Sequence, residues 1–109
     1  MSWKLKYLPE VEKDLRSLSR SRQLVVDKAI KKVLENPLPQ SEGGYGKPLG
    51  HKGTSNLTGY LKIKLRDDGI RIVYRLIRVE GEMLVVVIGI REDEEVYDIA
   101  SRRIKKHGL

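Results

Sequence analysis

Tyr60-Leu61-Lys62-Ile63-Lys64-Leu65-Arg66-Asp67-Asp68-Gly69-Ile70-Arg71-Ile72-Val73-Tyr74 reads as a β-hairpin. Leu61, Ile63 and Leu65 alternate with Tyr60, Lys62, Lys64 and Arg66, so one face is apolar and the other basic. Asp67-Asp68-Gly69 supplies turn chemistry. A turn centred on Asp68-Gly69 pairs residue 64 with 73, 66 with 71 and 62 with 75. That register puts Lys62, Lys64, Arg66, Arg71 and Arg75 on one face.

Outward from this hairpin, Glu80-Gly81-Glu82 turns the second strand, which runs to Val79, into a third, Met83 to Ile90. The third strand is apolar on both faces and belongs in the sheet interior under helices. A last helix begins near Asp93, with acids in its first turn and Arg102, Arg103, Lys105 and Lys106 near its end. Upstream, Trp3 to Leu8 alternates as a short first strand. Pro9 suits the first position of a helix carrying Val11, Leu15 and Leu18 as one stripe. Val26, Ala29, Ile30, Val33 and Leu34 mark a second helix, supported by the Asp27–Lys31 pair and ended at Asn36-Pro37. Residues 37–59 read as loop, with Leu49 and Leu57 as anchors to the core. The order is β-α-α-β-β-β-α. The fold class is α+β: an antiparallel-rich four-stranded sheet, a helical hairpin on one face and a C-terminal helix, in a single domain spanning 1–109.

The charge balance narrows the partner. Twenty-two Lys and Arg against 15 Asp and Glu give +7 over 109 residues, which calls for a polyanion, nucleic acid first and an anionic membrane surface second. No apolar run approaches a membrane span, and Met1-Ser2-Trp3-Lys4 has no secretory h-region, so a cytoplasmic protein is expected. The absence of cysteine removes disulfides, thiolate nucleophiles and Cys-based metal sites. His51 and His107 show no carboxylate spacing that suggests a metal. Gly43-Gly44-Tyr45-Gly46-Lys47 lacks Walker spacing, although a loop lying over a substrate is compatible with it.

Like charges crowded on one strand face repel, and a fold selected for stability alone intersperses acids there. The arrangement fits a phosphate among the cations. Each residue alone also has a plainer reading: lysines on a strand suit a solvated face, Arg91 a strand end, Tyr97 a core aromatic. Arg91 falls on the cluster's face with a three-residue connection at 80–82 and on the opposite face with a two-residue one. Glu92 to Glu95 and Asp98 are placed to pair with the cluster's edge. A second basic surface lies on the helical hairpin, with Arg16, Arg20, Lys28 and Lys32 among its members.

Two motifs carry a family resemblance. Leu61 to Tyr74 is similar to the KIKLR-turn-G-x-R-x-VY segment of the RelE toxins. Gly89-Ile90-Arg91-Glu92-Asp93-Glu94-Glu95-Val96-Tyr97 resembles their G-x-R-x-x-x-E-V-Y ending. The resemblance covers nearly the whole chain. It implies an mRNA endonuclease that acts in the A site of the 70S ribosome, without metal or other cofactor, and is held inactive by a cognate acidic antitoxin in a hetero-oligomer. It implies Lys62, Lys64, Arg71, Arg91 and Tyr97 as the cleavage residues, and the basic faces of sheet and helices add Arg66, Arg75, Arg16, Arg20, Lys28 and Lys32 as expected RNA contacts. Either lysine, its pKa lowered by neighbouring cations, is expected to act as base. Arg71 is expected to stabilise developing charge, Arg91 to contact the scissile phosphate, and Tyr97 to stack on or orient a base. The chain departs from the shortest members in its longer, glycine-richer 37–59 loop. A ParE-like DNA gyrase inhibitor on the same fold and a non-catalytic RNA-binding domain are the alternatives.

Overall fold

The computed structural model describes residues 3–52, 55–90 and 92–109. The elements are β1 (Lys4–Tyr7), α1 (Pro9–Arg16), α2 (Arg20–Leu34), β2 (Lys47–Pro48), β3 (His51–Lys52), β4 (Ser55–Asn56), β5 (Tyr60–Leu65), β6 (Ile70–Ile77), β7 (Glu82–Gly89) and α3 (Asp93–Lys106). The main sheet has the order β1-β7-β6-β5-β2, and β3 and β4 form a separate ribbon. The expected α+β architecture is present, with five strands in the main sheet where four were expected. The extra strand comes from the segment read as loop: Lys47 pairs with Lys62 and Pro48 with Leu61. Leu57 is fully buried and Leu49 packs against the core, as the sequence indicated.

Local chemistry explains the helical hairpin. Pro9 opens α1, where its missing N–H leaves no orphan donor, and Glu10 and Glu12 sit in the first turn. The Gln23 amide donates to the carbonyls of Leu15 and Leu18 at 2.9 and 3.1 Å, closing the end of α1 from the body of α2. Ser19 caps α2 by accepting from the Arg22 amide. Tyr74, fully buried on β6, donates its hydroxyl to the Pro37 carbonyl at 2.8 Å. This bond fixes the exit of α2 to the sheet face that carries Leu61 and Tyr74.

β1 is parallel to β7, running from Lys4 opposite Glu82 to Tyr7 opposite Val85. The ladder ends with the Leu8 amide on the Val85 carbonyl, because Pro9 has no N–H to extend it. Beyond that point helices complete the edge of β7. Asp14 of α1 accepts from the Ile88 amide at 3.0 Å, and Arg103 of α3 donates to the Val86 carbonyl at 3.0 Å. The two side chains also bind each other in a fork of 2.7 and 2.9 Å. One ion pair thus does for β7 what another strand would do. With α3 packed on β7 and Val85, Val86 and Val87 buried, the strand is covered on both faces, as its unbroken apolar run implied.

The β5–β6 register differs from the expected one by two residues. Lys64 lies opposite Arg71, Lys62 opposite Val73 and Tyr60 opposite Arg75. The cause is a tight 3-10 turn at Arg66–Asp68, closed by Gly69 in the left-handed conformation at φ 65°. A shift of two preserves every side chain's face. Lys62, Lys64, Arg71 and Arg75 therefore still share a face, while Arg66 moves into the turn. Between β6 and β7 a bulge at Val73/Tyr74 shifts the pairing, so Arg71 lies opposite Gly89 and Ile77 opposite Glu82.

Candidate functional site

The cluster forms where α3 crosses the basic face of β5 and β6. Lys62 is only 9% exposed, and its ammonium donates to the hydroxyl of Tyr97, itself 4% exposed, at 3.0 Å. The Lys62 nitrogen is 5.7 Å from the centre of the Tyr97 ring. That distance nearly equals the phenol's own reach plus the hydrogen bond. The ammonium therefore lies near the extension of the C–O bond, beyond the hydroxyl rather than over the π face. Tyr97 presents its hydroxyl to the cluster while protein covers its ring, so in this arrangement the ring is not open to a nucleotide base.

Arg71 and Lys64 converge on Asp93, the first residue of α3. The Arg71 Nε–Asp93 Oδ1 distance is 2.6 Å, and the Arg71 Nη1 donates to the Gly69 carbonyl at 3.0 Å. The guanidinium is held at two points. Lys64 Nζ stands 3.6 Å from Asp93 Oδ2, with the lysine side chain 32% exposed. Partial burial pushes the Asp93 carboxyl up, but the hydrogen bond from Arg71 and the charges of Lys64, Arg71 and Lys62 outweigh it. The net effect holds Asp93 below its ordinary value. One carboxylate at a helix N-terminus thus offsets part of a three-cation cluster, as the expected pairing of the 92–95 acids with its edge implied.

The remaining expected residues divide. Arg75 sits on the same face, with its guanidinium carbon 5.6 Å from the centre of the Tyr60 ring. Arg66 lies in the turn on the rim of a groove beside β5, and Lys32 of α2 lines the same groove. Arg20 and Lys28 are exposed on α2 and do not line it, and Arg16 is exposed at the end of α1, 3.9 Å from Glu12. Arg91 lies outside the described residues. His107 binds Glu10 at 3.0 Å. Among the described residues no group of three His, Asp or Glu side chains gathers where a metal ion could be held, and no helix is long and apolar enough to cross a membrane.

Sequence reasoning marked Gly43 to Lys47 as a loop compatible with lying over a substrate but gave Tyr45 and Lys47 no role of their own; both line the groove with Lys32. Their only signal was an aromatic bracketed by glycines just ahead of a lysine. It also missed the Asp14–Arg103 pair, whose partners are 89 residues apart.

Residues 5–97 match the family described as "ParE toxin of type II toxin-antitoxin system, parDE". The chain is 31% identical over 104 residues to the mRNA interferase toxin RelE of Escherichia coli K12, covering 95% of this chain and 99% of that one. A free-state structure of a doubly substituted E. coli RelE superposes with a TM-score of 0.70 at 28% identity, over 95% of this chain and 99% of that one. The toxin in the intact E. coli RelBE toxin–antitoxin complex gives 0.64 at 25%, over 84% and 99%. These matches, the architecture and the two sequence motifs agree: the chain belongs to the RelE toxin family, within the RelE/ParE superfamily of type II toxin–antitoxin systems.

Proposed function

We propose that this toxin is an mRNA endoribonuclease that cleaves in the ribosomal A site. The observation that carries the reading is the convergence of Lys62, Lys64 and Arg71 on one sheet face, braced by Tyr97 and Asp93. RNA contains its own nucleophile, so the protein has only to move protons and stabilise charge. The 2′-oxygen attacks the adjacent phosphorus as its proton passes to a base, and the bond from phosphorus to the 5′-oxygen breaks as that oxygen takes a proton from water. The products are a 2′,3′-cyclic phosphate and a 5′-hydroxyl. Lys64, the more exposed of the two strand lysines, is assigned as base. Arg71, oriented by Asp93 and the Gly69 carbonyl, stabilises the charge that grows on the phosphate oxygens. Lys62 supplies a second fixed cation. The family resemblance assigns Arg91 to the scissile phosphate. In this reading side chains alone move the protons and stabilise the charge, with no metal ion assigned a step.

The partners follow from the same charges. A +7 toxin calls for an acidic antitoxin, and the E. coli relative is solved in complex with its own antitoxin. The ribosome supplies the second polyanionic surface and positions the message.

Single-turnover cleavage of mRNA on programmed ribosomes tests the assignment. Lys64→Ala and Arg71→Ala are each expected to slow cleavage by about 10²-fold or more. Undiminished cleavage in either variant overturns it. Because the matched family carries the ParE description, gyrase inhibition is the second reading. Inhibition of DNA supercoiling by the toxin, without mRNA cleavage, selects it.

A further inference from the structure

β2 pairs with β5 only at Leu61 and Lys62, so the edge of β5 continues past it. Along that edge runs a groove of about 380 Å³, bounded by α2, the 40–47 segment and residues 62–66. Its volume lies in the range of roughly 300–1,000 Å³ typical of small-ligand sites. Lys32, Lys47, Lys62, Lys64 and Arg66 line it, and among the described residues no carboxylate does. It shares Lys62 and Lys64 with the cleavage cluster. Tyr45 stands in its wall, 49% exposed, with the Lys32 ammonium 5.7 Å from the ring centre.

The backbone that presents Tyr45 is held by a dense set of bonds. The Tyr45 amide donates to the Asn36 carbonyl at 3.1 Å, Gly44 to Pro39 at 3.1 Å and Gly46 to Leu38 at 3.0 Å. Both flanking glycines are required by close approach. A Cβ on Gly44 falls 2.0 Å from the Leu38 carbonyl oxygen, and one on Gly46 falls 2.3 Å from the Tyr74 hydroxyl. The chain is ordered at an entropic cost, yet the aromatic it carries stays half in water and forgoes burial. A fixed, half-exposed ring among cations is the arrangement that stacks a nucleobase while the cations hold its backbone.

We propose that this groove is a nucleotide subsite beside the cleavage cluster. Tyr45 is the stacking platform for a base flanking the scissile phosphate, and Lys32 and Lys47 contact the backbone phosphates. The proposal rests on the ribonuclease reading and adds to it a specificity-determining residue that touches no reacting atom.

The test uses the full toxin and ribosome-bound mRNAs, each with one abasic nucleotide at a successive position around the cut. Tyr45→Ala is expected to raise KM about 10-fold with kcat and melting temperature unchanged, and Tyr45→Phe to behave as wild type. One abasic position should cost wild type the same factor and cost Tyr45→Ala nothing further, since both changes remove the same stack. Equal sensitivity of wild type and Tyr45→Ala at every position overturns the subsite. So does a Tyr45→Ala variant that cleaves normally but loses affinity for an acidic antitoxin peptide, which assigns the groove to a protein partner. Absence of cleavage by wild type is a different result and removes the ribonuclease reading itself.

Discussion

Lys62 and Tyr97, 35 residues apart, meet in a buried 3.0 Å hydrogen bond that joins the basic face of the sheet to the C-terminal helix. A buried ammonium needs its partners, because an unmet donor retains its full desolvation cost. The bond therefore links the conformation of one cluster residue to the seating of α3.

Tyr97→Phe keeps the ring and deletes that acceptor. Folding stability is expected to fall by about 1–3 kcal/mol, read from urea denaturation. Cleavage should fall through kcat, because a loosened Lys62 no longer presents a fixed charge. Wild-type stability and kcat together in this variant would show that the bond positions nothing.

Asp93→Asn separates two roles of one carboxylate. Its removal strengthens the positive field, so KM for RNA should not rise. It also weakens the hold on the Arg71 guanidinium, because a neutral amide oxygen replaces the carboxylate at Nε, so kcat should fall by about 10-fold, the cost of one loosened charge-stabilising group. A higher KM with unchanged kcat would place Asp93 outside the positioning of Arg71. Its depressed carboxyl also sets a stability window: Asp93 stabilises the fold above its unfolded value, and this is lost as pH falls through its lower folded value.

The Asp14–Arg103 fork is 14% and 16% exposed and satisfies two backbone groups of β7 besides itself. Removing one partner strands a buried charge, so Asp14→Ala or Arg103→Ala should each cost about 3–5 kcal/mol. The double variant should cost less than the sum, because both changes break the same interaction. Strict additivity in denaturation would argue against direct coupling.

Glu10 reports on the opposite end of α3. The hydrogen bond with His107, followed by its own backbone amide and Lys106, holds its carboxyl at about 2, below an ordinary 4.5. A depressed folded value means the stabilisation is present above 4.5 and disappears as pH falls toward 2. Glu10→Gln should flatten that part of the melting-temperature profile and leave the neutral range little changed. An unaltered acid limb would show that the contact does not persist in solution.

Much of this arrangement was legible in local pattern. Alternation over 60–65 identified the basic face, and it survived a register error because a two-residue slip conserves sides. The apolar run 83–90 predicted an interior strand. Other features depend on contacts distant in sequence. The 3-10 turn that moves Arg66 out of the strand is a choice between turns of similar chemistry. Lys47 pairs with Lys62 across a segment with no strand periodicity. Tyr97 was visible as a helix aromatic, yet its hydroxyl partner on another element was not. Asp14 and Arg103 carry no local signal of their pairing, which depends on the strand edge left open by the early end of β1.

The most direct measurement of the central claim is the chemistry and position of mRNA ends after induced expression of the toxin. New ends are expected only in translated reading frames, bearing 2′,3′-cyclic phosphates and absent with Arg71→Ala. New ends spread equally over untranslated messages, ends with a 3′-hydroxyl, or no new ends at all would contradict it.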